Sequence, residues 1–190
     1  MPILQVLIAS TRPTRVGPRI AEWFVAVAEA HGGFEVEVAD LAEIALPLFD
    51  EPAHPRLGKY EHAHTRDWSA RVARADAFAF VTPEYNYGPA PSLINAISYL
   101  STEWAYKPLG FVSYGGLSGG IRAVQITKSI VTTLRMVPIV EAVALPFVSQ
   151  HLDKETGAFQ PTDANQRAAT TMLNELVRWE QALRGLRVSK

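Results

Sequence analysis

The amino-acid sequence predicts an α/β fold, a doubly wound three-layer sandwich in which helices cover both faces of a five-stranded parallel sheet. Five short, mostly apolar segments alternate with segments of helical periodicity along the 190 residues. Parallel strands need crossover helices and are buried on both faces, so this alternation indicates a parallel sheet. The length and the 48% hydrophobic content suffice for a sizeable core. We therefore expect a single domain over residues 1–190.

The five strands are predicted from apolar or alternating runs of strand length that end at polar, glycine-rich or proline-rich stretches. They occupy residues 3–9, 34–41, 77–82, 108–114 and 139–145. A long loop over residues 42–64 carries three prolines, and residues 150–165 are expected to form a surface loop.

The helices are predicted from apolar residues that recur at helical spacing, over residues 18–30, 65–74, 92–102, 121–135 and 166–183. In the first helix this pattern is formed by Ile20, Trp23, Phe24 and Val27, and the sequence His31-Gly32-Gly33 ends it. The last helix should bury one face, formed by Ala169, Leu173, Leu176, Trp179 and Leu183.

The composition excludes several classes of function. A formal net charge of −1 removes the main electrostatic argument for nucleic acid as a partner. The chain has no cysteine, so disulfides, thiolate catalysis and cysteine-ligated metals are excluded. No apolar run approaches the ~20 residues that cross a bilayer, and the N-terminal run has no basic residue before it. We expect a cytoplasmic protein that does not associate with membranes.

The predicted topology directs attention to three loops, because ligands of doubly wound sheets bind beyond the carboxyl ends of the strands. The first loop, residues 10–17, reads STRPTRVG and opens a helix. A helix N-terminus with hydroxyls and with Arg12 and Arg15 suits an anion. Neither a dinucleotide-binding glycine motif nor a P-loop is present. The loop predicts a monophosphate site or, as the alternative, a solvated polar turn.

The other two loops carry aromatic residues and glycines. Residues 83–91 contain Tyr85 and Tyr87 for stacking, and the amide of Asn86 for the edge of a ring. Residues 114–120, YGGLSGG, would let a ligand pass close to bare backbone. Together these loops predict a site for a flat heteroaromatic ring, although either tyrosine alone could pack beneath a neighbouring loop.

Three segments, STRPTRVGPRIAEW, DAFAFVTPEYNYGPAPSLINAISYLSTEW and KPLGFVSYGGLSGGIRAVQ, together closely resemble the NADPH-dependent FMN reductase family. This flavodoxin-like family includes quinone, azo-dye and chromate reductases. The resemblance covers nearly the whole chain, and the P-E-Y-N segment is its most specific element. One departure lies in the following helix, where Ile94 and Ser98 replace a lysine and an aspartate that are frequent in relatives.

The resemblance implies a flavodoxin-like FMN-binding domain and assigns residues to its cofactor site. The FMN phosphate would be held by Ser10, Arg12 and Arg15, with backbone from Val16 and Gly17. The isoalloxazine ring would be lined by Pro83, Glu84, Tyr85, Asn86 and Tyr87. The pyrimidine end of the ring would meet Gly115 and Gly116.

The resemblance also implies the reaction: NADPH or NADH would pass a hydride to FMN, and a small-molecule acceptor such as a quinone or free flavin would follow in a ping-pong cycle. The cofactor carries this chemistry, so no catalytic side chain is assigned. Relatives place the flavin near a subunit interface, and the helix from Ser92 carries the apolar residues Leu93, Ile94, Ile97 and Leu100. We therefore expect a homodimer or homotetramer.

Several alternatives stay open at this point. The chain could be a flavodoxin-like electron carrier, a flavin-dependent redox sensor, or a nucleotide-binding domain without flavin. Arg122 could meet the 2′-phosphate of NADPH or be a salt-bridged residue of its helix. His54, His62 and His64 lie in one loop, and we interpret them as surface residues without a metal.

Overall fold

The structure, a computed structural model, describes residues 1–188 and confirms the predicted α/β fold. The strands are β1 (Ile3–Ile8), β2 (Glu35–Asp40), β3 (Ala77–Tyr85), β4 (Gly88–Pro89), β5 (Pro108–Tyr114) and β6 (Val137–Leu145). Five of them form a parallel sheet in the order β2-β1-β3-β5-β6, and β4 pairs antiparallel with the end of β3. The helices are α1 (Gly17–His31), α2 (Leu41–Ile44), α3 (Ala63–Arg74), α4 (Pro91–Ser98), α5 (Ile121–Thr132) and α6 (Asp163–Val188).

Alternating residues of β3 divide the core into two layers. Ala77, Ala79 and Val81 face α1 and α6. Phe78 and Phe80 face the opposite layer, where α3, α4 and α5 pack. Small residues on one side and aromatic residues on the other follow from the period-two geometry of a strand. Central strands that are buried on both faces explain why their sequence is almost continuously apolar.

The order of the strands brings the three predicted loops to one edge. β1, β3 and β5 are neighbours in the sheet, and each of the three loops follows the carboxyl end of one of them. Ser92, at the start of α4, donates a hydrogen bond to the carbonyl of Ala9 and so ties the second loop to the first. The sheet thus places the residues of all three loops on a common rim.

The prediction that Trp179 belongs to the buried face of the last helix was wrong. Its side chain is 40% exposed, whereas Glu180 is buried beside Arg184 and Arg187. About three turns after Ala169, the 3.6-residue period places position 180, and not position 179, on the buried face. Burial of the Glu180 carboxylate is tolerated because the guanidinium groups of Arg184 and Arg187 bind it.

The structure also corrects the argument that α4 carries surplus apolar surface for a partner. Leu93, Ile97 and Leu100 are buried by the chain's own core, and Ile94 is half-buried. An apolar groove of about 590 Å³ lies beside this helix instead. Its apolar lining is formed by Phe49, Pro52, Ile97, Leu100, Ile130 and Leu134.

Candidate functional site

The first loop leads into the uncapped N-terminus of α1. No side chain caps this helix, and its first turn contains no acidic residue. The positive end of the helix dipole and the N–H groups before Pro18 are therefore available to a ligand, whereas the N–H of Arg19 already donates to the carbonyl of Val16. Pro18 lies in the first turn, where a missing N–H costs nothing.

Ser10 and Gly17 make the N-terminus of α1 suitable for binding a phosphate group. The Ser10 hydroxyl is fully buried and has no hydrogen-bond partner within residues 1–188. A Cβ on Gly17 would lie 2.4 Å from Ser10 Oγ and 2.8 Å from Tyr114 Oη, so only glycine fits. An unpaired hydroxyl next to a helix N-terminus is a donor set that a phosphate would satisfy.

The two arginines of the first loop have different roles. Arg15 forms a two-point ion pair with Asp40 at the end of β2 and donates to the carbonyl of Ser10 at 2.7 Å. The hydrogen bonds to Asp40 raise the pKa of Arg15 above its ordinary value. Arg12 is exposed, with its guanidinium carbon 5.9 Å from the ring centre of Tyr85. Arg15 therefore stabilises the conformation of the first loop by linking it to the end of β2. Arg12 lies towards the second loop.

The P-E-Y-N segment forms a tight hairpin rather than an open loop. β3 continues through Pro83 to Tyr85, and β4 begins at Gly88. The two residues between them, Asn86 and Tyr87, have φ angles of 50° and 66°. Positive φ at both positions is the geometry of a type I′ turn, which is unusual for tyrosine and stores strain. The turn holds the Tyr87 ring 68% exposed at the rim.

Glu84 fixes this hairpin to α5. Its carboxylate accepts a 3.0 Å bond from the backbone N–H of Arg122 and a 2.9 Å bond from the Arg122 guanidinium. The same guanidinium lies over the Tyr87 ring, 4.2 Å from its centre. The sequence left two interpretations of Arg122, contact with the 2′-phosphate of NADPH or a salt bridge. In the structure Arg122 forms a salt bridge with Glu84. Burial raises the pKa of Glu84, but the bonds from Arg122 and Ser118 outweigh it and lower the pKa below its ordinary 4.5.

We expect Glu84→Gln to lower stability by about 1 kcal/mol, or roughly 3 °C in Tm, at neutral pH. A carboxylate whose pKa is lowered by folding stabilises the protein above its unfolded pKa and loses that effect as the pH falls through its folded pKa. The gap between wild type and variant should therefore close below about pH 4.5. Thermal unfolding between pH 3 and pH 7 measures it, with Glu22→Gln as a control because Glu22 forms only a 3.9 Å surface pair. A gap that is independent of pH would contradict the role of the charge.

The third loop approaches the second closely. A Cβ on Gly115 would lie 3.8 Å from Glu84 Cβ, whereas one on Gly116 would meet nothing within 4 Å. The Gly115 N–H is already bonded to the carbonyl of Leu145. Gly120 has a φ of 85°, and a Cβ there would lie 2.8 Å from the backbone N of Tyr114. Gly116 is thus the open part of this loop, and Gly120 makes its tight turn possible.

A fourth segment at this edge was missed from the sequence. Phe147 follows β6, has a φ of 47° and donates its backbone N–H to the carbonyl of Gly116 at 2.8 Å. Its side chain is nearly half exposed beside the third loop. The sequence feature that could have drawn attention to this segment is the Pro-Phe pair directly after an apolar strand. A bulky residue at positive φ is rare and marks a backbone that the surrounding structure constrains.

Two of the three histidines predicted in the long loop, His62 and His64, belong to a separate polar cluster, whereas the His54 ring accepts the backbone N–H of Arg56. His64 Nε2 lies 3.1 Å from a carboxylate oxygen of Asp50, which also accepts a bond from Tyr99. His62 stacks on His64 with ring centres 5.1 Å apart. Within residues 1–188, no group of three or more His, Asp or Glu side chains could hold a metal ion. No helix in the same range is long and apolar enough to cross a membrane.

Comparisons with known proteins identify the family of this chain. The sequence profile described as NADPH-dependent FMN reductase matches residues 1–150. An NAD(P)H-dependent FMN reductase of Schizosaccharomyces pombe is 40% identical over 149 residues, which is 76% of this chain and 74% of that protein. A probable NADPH:quinone oxidoreductase of Oryza sativa is 36% identical over 98 residues, half of this chain and 48% of that protein.

The solved structures that match confirm the flavodoxin-like fold. FerB, a flavoenzyme NAD(P)H:(acceptor) oxidoreductase from Paracoccus denitrificans, has a TM-score of 0.74 at 18% identity, over 96% of this chain and 98% of FerB. RosB with a bound formylriboflavin phosphate intermediate has a TM-score of 0.74 at 13% identity, over the whole of this chain and 83% of RosB. The family match confirms the resemblance seen in the sequence: the chain belongs to the NADPH-dependent FMN reductase family, and it is an oxidoreductase that uses FMN and NAD(P)H.

Proposed function

We propose that this protein is a single-domain, cytoplasmic NAD(P)H-dependent FMN oxidoreductase that reduces a quinone, free flavin or similar small acceptor. The observation that carries the proposal is the buried, unpaired Ser10 hydroxyl at the uncapped N-terminus of α1, on the same rim as the exposed Tyr87 hairpin. A phosphate fits the first feature and a flat aromatic ring fits the second. FMN has both groups in one molecule.

The residues divide into a phosphate subsite and a ring subsite. Ser10, Arg12 and the backbone of Val16 and Gly17 would bind the phosphate, and Arg15 would hold their loop in shape through Asp40. Pro83, Glu84, Tyr85, Asn86 and Tyr87 would line the ring, which the backbone of Gly115 and Gly116 would meet at its pyrimidine end. The Gly115 N–H is engaged by β6, so Gly116 is the better donor of the two.

The exposed rim explains how two substrates could use one site. When bound, FMN supplies the hydride chemistry, taking electrons from NAD(P)H and giving them to the acceptor. The residues of the rim orient the partners: Tyr87 offers an exposed aromatic surface, and Arg122, stacked on it, places a positive charge beside it. Donor and acceptor would then occupy the same open face in turn, which is the basis of ping-pong kinetics.

A homodimer or homotetramer is part of the proposal. The apolar groove beside α4 and the exposed side chains of Leu48, Phe49 and Leu57 support it. Exposed apolar patches of this kind are typical of contacts between subunits. Light scattering coupled to size-exclusion chromatography measures the mass in solution, and a monomer at micromolar concentration would refute this part.

The main experiment is reduction of the purified protein loaded with FMN. We expect one FMN per chain by absorbance, bleaching of the flavin by anaerobic NADPH or NADH, and reoxidation by a soluble quinone. Initial rates at several donor and acceptor concentrations should give parallel double-reciprocal lines. A protein that binds FMN but is not reduced by either nucleotide would be an electron carrier or sensor. A protein that binds no FMN would refute the proposal.

A further inference from the structure

Tyr114 has a buried hydroxyl that the fold alone does not explain. It is the last residue of β5, paired with Pro83 on one side and Leu145 on the other. Its ring packs among the apolar residues between the sheet and α1, and the residue is only 4% exposed. Phenylalanine would fill the same space without a polar atom, and a buried polar group without a partner is unfavourable. The hydroxyl does not contribute to stability, and a role of this group in ligand binding would explain its presence.

The position of this hydroxyl points to the phosphate subsite. Tyr114 Oη lies 2.8 Å, and Ser10 Oγ 2.4 Å, from the one point that a Cβ on Gly17 would occupy. Both oxygens are shielded from solvent, and within residues 1–188 neither has a partner at full hydrogen-bond geometry, but the two hydroxyls are close enough for Ser10 to act on the pKa of Tyr114. β5 is two strands away from β1, so the Tyr114 side chain reaches beneath the sheet edge to the first turn of α1. Two unpaired hydroxyls thus meet behind the glycine at a helix N-terminus.

The protonation of Tyr114 makes it a donor. Burial raises the pKa of its phenol above the ordinary value of 10 and outweighs the lowering effect of the Ser10 hydroxyl, so the phenol keeps its proton throughout the physiological range. Ser10 can accept that proton in a hydrogen bond while it donates its own proton to a third group. In such a chain each hydrogen bond polarises and strengthens the next one.

We infer that Tyr114 is a positioning residue of the phosphate subsite. When FMN is bound, the Tyr114 Oη donates to Ser10 Oγ, which directs the Ser10 O–H towards a phosphate oxygen of FMN. This inference rests on the proposed function, because it requires FMN to bind at the N-terminus of α1. It connects the phosphate subsite to β5, the same strand that leads into the glycine loop at the ring end.

The test compares two ligands that differ only in the phosphate. FMN and riboflavin are titrated into the flavin-free full-length chain, and their dissociation constants are read from flavin fluorescence. We expect Tyr114→Phe to weaken FMN binding about fivefold, which corresponds to one hydrogen bond. Riboflavin binding should change by less than about twofold. Ser10→Ala should weaken FMN binding about tenfold, and adding Tyr114→Phe to it should cost nothing more, because the two residues act in series.

Tyr106→Phe is the matched control. Tyr106 lies just before β5, at the opposite end of the strand, and its hydroxyl has only a 3.5 Å contact with Arg135. This variant should bind FMN as the wild type does. Unchanged FMN affinity in Tyr114→Phe would overturn the inference, and so would an equal loss for riboflavin or an additive loss in the double variant. If the wild-type protein binds riboflavin and FMN equally, the phosphate subsite itself is refuted, and the inference fails with it.

Discussion

Gly17→Ala is expected to weaken FMN binding by about 100-fold. The added Cβ would lie 2.4 Å from Ser10 Oγ and 2.8 Å from Tyr114 Oη, far inside van der Waals contact. Either the Ser10 hydroxyl turns away or the first turn of α1 moves, and both changes remove donors from the phosphate. Loss of charge-assisted hydrogen bonds worth about 3 kcal/mol corresponds to the 100-fold effect. Overpacking should also lower the unfolding free energy by about 1–3 kcal/mol, measured by urea denaturation of the flavin-free protein.

Gly185→Ala is the control for this substitution. Gly185 lies near the end of α6, and a Cβ there meets nothing within 4 Å. FMN affinity should stay as in the wild type, while stability should rise by up to about 1 kcal/mol, because alanine is favoured over glycine inside a helix. FMN binding by Gly17→Ala within about threefold of the wild type would show that the phosphate binds elsewhere.

Most of the fold could be predicted because its signals are local or follow from the topology of parallel sheets. Apolar runs of strand length identified all five strands of the parallel sheet, and only their ends shifted. The short helix α2 was missed because four residues are too few for a periodic pattern. Its start depends on Asp40, whose side chain accepts the backbone N–H of Ala42. The hairpin β3–β4 was missed because its turn lacks glycine at the two central positions, where Asn86 and Tyr87 adopt positive φ instead.

The candidate site could be predicted as a set of loops, but the partners of individual side chains could not. The rule that ligands bind at the carboxyl ends of parallel strands located the rim. Arg15, and not Arg12, pairs with Asp40 because of how the end of β2 lies against the first loop. The two paired residues are 25 positions apart in the sequence, so the sequence did not reveal this contact. The hydroxyl of Tyr114 meets Ser10 across 104 residues and two strands, and no spacing in the sequence encodes that distance.

The distinction between the two arginines leads to the second large effect. We expect Arg15→Met to lower the unfolding free energy of the flavin-free protein by about 2 kcal/mol. The substitution leaves the carboxylate of Asp40, whose side chain is only 8% exposed, without its cation.

Arg12→Gln should not change this stability, because Arg12 is exposed and its guanidinium has no ion pair within residues 1–188. Arg12→Gln should instead weaken FMN binding about tenfold and leave riboflavin binding unchanged. Urea denaturation and flavin titration measure the two effects separately.

The double variant Arg15→Met/Asp40→Asn distinguishes a residue that holds the loop in shape from a residue that binds the phosphate. Removing both charges of a partly buried ion pair can be close to neutral, and asparagine can still cap the first turn of α2, so stability should recover most of the loss caused by Arg15→Met. If Arg15 acts only by holding the loop, FMN affinity should recover along with stability. A variant that regains stability but still binds FMN as weakly as Arg15→Met would mean that the Arg15 guanidinium leaves Asp40 to bind the phosphate directly. The first outcome follows from the geometry, because the Arg15 guanidinium already binds both oxygens of Asp40 and the carbonyl of Ser10.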